Sequence, residues 1–135
     1  MIATDTSVAV AAALPWHEAH ATAVATLAAG ETALIAHVAV ETYSVLTRLP
    51  PPQRVPASAA RAYLARAFAF PPLTLPPQEY DRLLELAAGK GITGGAVYDA
   101  LVGSTARHAG VTLLTLDRRA LPTYELTGVE YRLLA

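Results

Sequence analysis

The chain holds only four aspartates, and three of them, Asp5, Asp99 and Asp117, fall at special places together with Glu41. Asp5 directly follows the short apolar segment Met1–Thr4. Asp117 lies just past Val111–Thr115, and Asp99 lies early in the segment that feeds it. Glu41 lies early in the segment after the apolar run Ala33–Ala36. If the apolar runs are parallel strands, their C-terminal ends open on one edge of the sheet, where α/β proteins build their sites. Asp5 and Asp117 then become neighbours, with Asp99 and Glu41 facing the same edge. Carboxylates gathered at one point repel each other unless a cation neutralises them. Oxygen-only ligands select hard divalent ions, Mg²⁺ or Mn²⁺. Such ions lower the pKa of bound water and stabilise charge on phosphoryl oxygens, so the chemistry this pattern supports best is phosphodiester hydrolysis.

Positioning these acids requires an alternation of strands and helices, and the sequence carries one. Met1–Thr4, Ala33–Ala36, Leu73–Leu75, Val111–Thr115 and Val129–Leu133 read as strands, the fourth being the richest in β-branched and apolar residues. Between them, His17–Ala29, Val38–Leu49, Ala57–Phe70, Gln78–Ala88 and Ala96–Ala109 read as helices. Gly30, Gly89 and Gly110 stand where C-terminal caps belong, and proline clusters at 50–52 and 71–72 end two of the helices. Ser7–Leu14 is rich in Ala and Val and stops at Pro15. Short apolar strands separated by helices predict an α/β domain with a mainly parallel sheet covered on both faces. The 29 alanines allow close packing of the helices on thin strands.

At 135 residues and 14.1 kDa, one domain spanning residues 1–135 is expected. Apolar residues make up 53% and charged residues 16%, which excludes a disordered, solvating chain. The absence of cysteine excludes disulfides, thiolate zinc sites, iron–sulfur clusters and thiol nucleophiles, and suits a cytoplasmic location. No apolar run approaches the roughly 20 residues of a membrane span, and no Lys or Arg precedes Arg48, whereas a secretory signal needs basic residues near the start. A net charge of −1 argues against non-specific coating of nucleic acid but leaves room for a local basic rim.

The four acidic motifs resemble those of PIN-domain ribonucleases, and within them the VapC-type toxins of toxin–antitoxin pairs. The motifs are Asp5-Thr6-Ser7 after the first strand, Glu41 within Val38–Pro50, Tyr98-Asp99-Ala100-Leu101-Val102 continuing through Thr105-Ala106, and Leu114-Thr115-Leu116-Asp117-Arg118-Arg119-Ala120. The triplet alone is a weak signal; the four in this order and at these separations are strong. The resemblance spans Ile2 to the last strand and implies a PIN-like three-layer α/β/α fold. It implies an acidic quartet of Asp5, Glu41, Asp99 and Asp117, with Asp5 and Asp99 the principal ligands of Mg²⁺ or Mn²⁺. Thr115, and Thr6 or Ser7, would be supporting hydroxyls. Metal-bound hydroxide would cleave RNA, leaving a 5′-phosphate and a 3′-hydroxyl. It further implies a homodimer silenced by a VapB-type antitoxin, whose C-terminal segment lies in a groove and can set an Arg among the acids. The Ala/Phe/Leu face of Ala57–Phe70 is compatible with such a groove, and also with plain core packing. The RNA itself, transfer, ribosomal or messenger, is left open.

Each acid on its own also has a structural reading: Asp5 as a helix cap, Asp99 and Glu41 as first-turn acids, Asp117 as a turn former. His17 and His20 share a helix face at metal-binding spacing but lack a third ligand. His37 precedes the Glu41 helix and reads as helix entry or a border of the site. Trp16, beside Pro15, is expected to pack between helices. Arg48, Arg118 and Arg119 are the candidates for RNA phosphate contacts. A phosphoacceptor receiver would need an acid adjacent to Asp5 and a Lys after the last strand, and the only Lys is Lys90. An aspartyl phosphatase would need an acid at position 7, which is Ser. A PIN nuclease of RNA maturation working without an antitoxin, and a catalytically silent binding scaffold, share the fold and remain the alternatives.

Overall fold

The computed structural model describes residues 1–134. Five parallel strands form one sheet in the order β3-β2-β1-β4-β5, with β1 at Ile2–Thr4, β2 at Thr32–Ile35, β3 at Ala69–Leu73, β4 at Thr112–Thr115 and β5 at Tyr131–Leu133. The helices are α1 (Thr6–Ala13), α2 (His20–Ala28), α3 (Ala36–Thr47), α4 (Ala57–Ala67), α5 (Tyr80–Lys90), α6 (Ala96–Ala109) and α7 (Leu121–Thr127). Short 3₁₀ turns precede α5 and α7.

Given this order, the right-handedness of parallel crossovers decides where the helices lie. The chain runs outward from β1 to β2 to β3, then crosses to the other side of β1 and runs outward again through β4 and β5. Right-handed connections in opposite directions put the helices on opposite faces. α1 packs on α2 and α3, and α3 on α4; α6 packs on α5 and α7. The result is a three-layer α/β/α sandwich. Leu34, Ile35 and Leu113 lie in its core, with Val38, Leu64 and Phe68 from the first group of helices and Val102, Ala106 and Tyr124 from the second. Among the described residues no helix is long and apolar enough to cross a membrane.

Central β1 is only three residues long, yet it is held on both sides: Ala3 is in register with Ala33 of β2 and with Leu113 of β4. The segment after it, Thr6–Ala13, forms a helix with no polar face, and Val8, Ala9, Ala11 and Ala12 are buried. That placement explains why it carries no amphipathic period: it is covered all round.

Helix α3 begins two residues earlier than expected and α4 ends at Ala67 instead of Phe70, and four departures are larger. Helix α2 starts at His20 rather than His17, because Pro15–Ala19 turns, with the Ala19 amide donating to His17 Nδ1 at 3.0 Å. The third strand is Ala69–Leu73 and contains Pro71 and Pro72, taken above as helix enders; β3 is an edge strand, where proline is tolerated. Helix α7 lies in a stretch with no expected element. Trp16 is 59% exposed instead of packed between helices.

Gly110 (φ 70°) and Gly128 (φ 76°) turn α6 and α7 into the strands that follow, in the left-handed region that glycine adopts freely. Gly103 serves differently. A Cβ there would lie 2.7 Å from Thr127 Oγ1 and 3.3 Å from Tyr124 Cδ1, so the missing side chain is what lets α7 seat on α6. Thr127 is buried and its hydroxyl donates to the Tyr124 carbonyl, so it has little freedom to yield. Gly103→Ala should therefore lower stability despite alanine's better helix propensity. Overpacking costs about 1–3 kcal/mol against about 1 kcal/mol gained. Urea unfolding of the two proteins measures the balance, and Gly103→Val should be worse still.

Candidate functional site

The direction of the chain reverses at β1, so the loops leaving β1 and β4 go to opposite faces and open a crevice between the strand ends. Asp5 stands at that crevice directly after β1, its amide donating to the Leu114 carbonyl of β4 at 3.0 Å. Its side chain is buried, 5% exposed, and accepts from several elements at once. Oδ1 takes the Ser7 amide at 3.1 Å, the Val8 amide at 3.4 Å and the Ser7 hydroxyl at 2.5 Å, which makes Asp5 the N-cap of α1. Oδ2 takes the Thr115 hydroxyl at 2.5 Å and the Tyr124 hydroxyl at 2.7 Å. Burial raises the Asp5 pKa above the ordinary carboxylate range, and these donors pull against it without cancelling it.

Asp117 follows β4 on the other side of the crevice. Its amide donates to Thr115 Oγ1 at 3.0 Å, and its Oδ1 accepts the Arg119 amide at 2.9 Å, capping the 3₁₀ turn of Arg118–Ala120. Asp99 is in the first turn of α6 and half-buried. Its pKa is pushed up to about 6, first by burial and then by the negative charges of Asp117, Asp5 and Glu41, with His37 opposing. Glu41 sits in the second turn of α3, one turn further along than expected, with Oε2 3.6 Å from His37 Nε2. The four acids line one small cleft of about 70 Å³ together with Thr6, Ser7, Tyr98, Val102 and Tyr124.

The supporting hydroxyls divide. Ser7 and Thr115 both donate to Asp5, and Ser7 Oγ also accepts the Leu116 amide at 2.9 Å, which ties α1 to the end of β4. Thr6 Oγ1 is buried beside the cleft with no hydrogen-bond partner. Arg118 and Arg119 are exposed next to Asp117, with Arg119 Nε 3.6 Å from its carboxylate. Arg48 is exposed about two helical turns beyond Glu41, its guanidinium on Ser44 Oγ. His17 and His20 bond to backbone groups, the Ala19 amide and the Ala11 carbonyl, and stand apart from the acids. Tyr124 is the site residue the sequence did not reveal. The signals of its helix are Pro122 in the first turn, where proline is favoured, and Gly128 just past the end.

A cleft of four carboxylates at the switch point of a parallel sheet defines a class, and comparison with known proteins agrees. The PIN domain family profile matches residues 2–125. The crystal structure of PAE2754 from Pyrobaculum aerophilum superposes with a TM-score of 0.64 at 26% identity, covering 96% of this chain and 89% of that one. Ribonuclease VapC40 of Mycobacterium tuberculosis is 54% identical over 133 residues, 98% of both chains. Ribonuclease VapC27 of the same species is 46% identical over 128 residues, 95% of this chain and 93% of the relative. The chain belongs to the PIN-domain family, among its VapC-type ribonucleases.

Two predictions come from this geometry. Tyr124→Phe keeps the packing of α7 but takes a donor from a buried carboxylate, and should cost about 1–3 kcal/mol in urea unfolding. Asp99 binds its proton more tightly folded than unfolded. Its contribution is therefore fully present below the unfolded value of 3.8 and is lost as pH rises through about 6. In EDTA, the Tm of the wild type should fall between pH 4 and pH 6 more steeply than that of Asp99→Asn, which should be the more stable of the two at pH 7.

Proposed function

We propose that this chain is the toxin endoribonuclease of a VapBC-type pair, hydrolysing RNA phosphodiesters with Mg²⁺ or Mn²⁺ at Asp5, Glu41, Asp99 and Asp117. The observation that carries the reading is the convergence of these four carboxylates in one cleft, in a chain that matches ribonuclease VapC40 along almost its whole length.

The donors suit a hard cation. They are all oxygen, Thr6 Oγ1 is buried at the cleft without a partner, and the neighbouring negative charges that add to burial in raising Asp99 are of the kind a cation offsets. Among the described residues no three acidic or imidazole side chains close around a common point. Asp5 and Asp99 are the principal ligands in this reading, with Glu41 and Asp117 completing the shell directly or through water. The chemistry such an ion supplies when bound is activation of water and neutralisation of charge on the phosphoryl oxygens.

The chain's own residues do the rest. Ser7, Thr115 and Tyr124 hold the Asp5 carboxylate in one orientation. Asp117, fixed by the turn it caps, and Glu41 orient the attacking water from opposite sides of the crevice. Arg118 and Arg119, exposed beside Asp117, and Arg48 further along α3 contact RNA phosphates. The protein acts as one PIN domain over residues 1–135, in the cytoplasm and as a homodimer, on a transfer, ribosomal or messenger RNA.

Its VapB-type antitoxin docks in the groove between α3 and α4. That groove, about 740 Å³, is lined by Val40 and Tyr43 of α3, Ala62 and Ala65 of α4, and Phe70 of β3. Val40 is 71% and Phe70 56% exposed, an apolar surface at a high solvent cost, and Val40 is the immediate neighbour of Glu41. The Ala/Phe/Leu stripe of 57–70 divides between the two readings given above: Ala60 and Phe68 are buried in the core, whereas Leu64, though buried, also lines the groove.

The test is cleavage of total bacterial RNA by wild type and Asp99→Asn, with Mg²⁺, Mn²⁺ or EDTA, mapping new 5′ ends. Discrete ends that require metal should appear for the wild type, and Asp99→Asn should fall to background with an unchanged circular dichroism spectrum. Equal cleavage by the variant would remove the mechanism.

A further inference from the structure

Tyr98 lines the acid cleft yet is 55% exposed, and nothing in the hydrolytic chemistry requires an aromatic ring there. Its ring lies on the imidazole of His37, with centroids 5.3 Å apart and planes 2° from parallel. His37 is one turn before Glu41 on α3, and Tyr98 directly precedes Asp99 on α6. Each of the two helices therefore brings one acid and one ring to the same place. This offset parallel contact sets the plane of the tyrosine ring, and more than half of the residue stays open to solvent beside the cleft. The cleft itself, about 70 Å³, has room for little more than a phosphate and its immediate ligands. A base attached to that phosphate must lie outside, on whatever borders the acids.

We propose that Tyr98, backed by His37, is the base-stacking subsite of the cleft: an unpaired nucleobase lies on the exposed ring of Tyr98 while the neighbouring phosphate lies among the acids. The proposal rests on the nuclease reading for the polymer and adds the position of the base. Stacking on an aromatic ring accepts every base and requires that the base be splayed out of a helix. The subsite thus selects single-stranded or looped RNA over duplex, and favours purines, with the larger face, over pyrimidines. Removing such a ring weakens binding by roughly five- to a hundredfold.

The probe is a single-stranded oligoribonucleotide carrying 2-aminopurine at each position in turn, with Ca²⁺ as the divalent ion so that binding is read apart from cleavage. Wild type and Tyr98→Phe should quench the fluorescence at one position, and Tyr98→Ala should lose both the quenching and roughly five- to a hundredfold in affinity. With an abasic nucleotide at that position, wild type and Tyr98→Ala should bind alike. No quenching by the wild type, or quenching that survives in Tyr98→Ala, overturns the subsite. So does an affinity loss in Tyr98→Ala that is equally large for the abasic strand, since Tyr98 would then act only by positioning Asp99. Cleavage with Mg²⁺ or Mn²⁺ is scored separately on the same proteins. Quenching without cleavage keeps the subsite and removes the nuclease, whereas cleavage without quenching does the reverse.

Discussion

The architecture depends on one buried carboxylate. Burying Asp5 carries a desolvation cost of several kcal/mol unless hydrogen bonds offset it, and the donors that do so come from α1, β4 and α7. Satisfying Asp5 is therefore the same event as docking the first strand on the fourth, starting the first helix, and seating the last helix on α6. Gly103 belongs to this arrangement although it lies away from the cleft, because α7 reaches Asp5 only where α6 lacks a side chain. The hydroxyls leave the carboxylate fixed in direction.

Around that point the fold gathers further negative charge and tempers it with its helices. The C-terminal end of a strand in a parallel sheet is also the N-terminal end of the helix that follows. Asp5 caps α1, Asp117 caps the 3₁₀ turn, and Asp99 lies in the first turn of α6. Helix N-termini carry partial positive charge that favours a carboxylate by about 0.3–1 kcal/mol at exposed positions. Capping and participation in a site, which compete as explanations for each acid in isolation, are here two aspects of one placement. Burial, and after it the residual repulsion, falls most visibly on Asp99, which is the strain of holding charge ready.

The sequence displays the parts of this arrangement that are strongly patterned. β1, β2, β4 and helices α3 to α6 are legible from apolar runs, periodicity and glycine stops; Asp5, Glu41 and Asp117 stand out by their position after strands, and Asp99 by its place at the start of the helix that feeds β4. What stays hidden is hidden for physical reasons. Helix α7 has seven residues, among them a proline and two threonines, too few for a period and poor in helix propensity. With it Tyr124 stays hidden, because a tyrosine in an apparent loop carries no sign that its hydroxyl turns inward. The prolines of β3 read as breakers, and only the sheet order shows that they occupy an edge. Trp16 misleads in the opposite sense, an aromatic beside a turn that the fold leaves in water. Tyr98 is plainly visible next to Asp99, but its stacking partner, sixty-one positions earlier, is not.

The distance in sequence between Asp5 and its partners has a consequence for synthesis. Thr115 and Tyr124 follow it by 110 and 119 residues, and β4 must insert beside β1 before either can reach it. Chains emerge from the ribosome N-terminus first, at about 5–20 residues per second. For several seconds a growing chain thus carries Asp5 and Glu41 but neither the strand nor the hydroxyls that complete the cleft. The buried carboxylate at the centre of the cleft is thus fixed only once β4 and α7 have both been made, and a chain that stops short of Tyr124 lacks two of the hydroxyls that orient it.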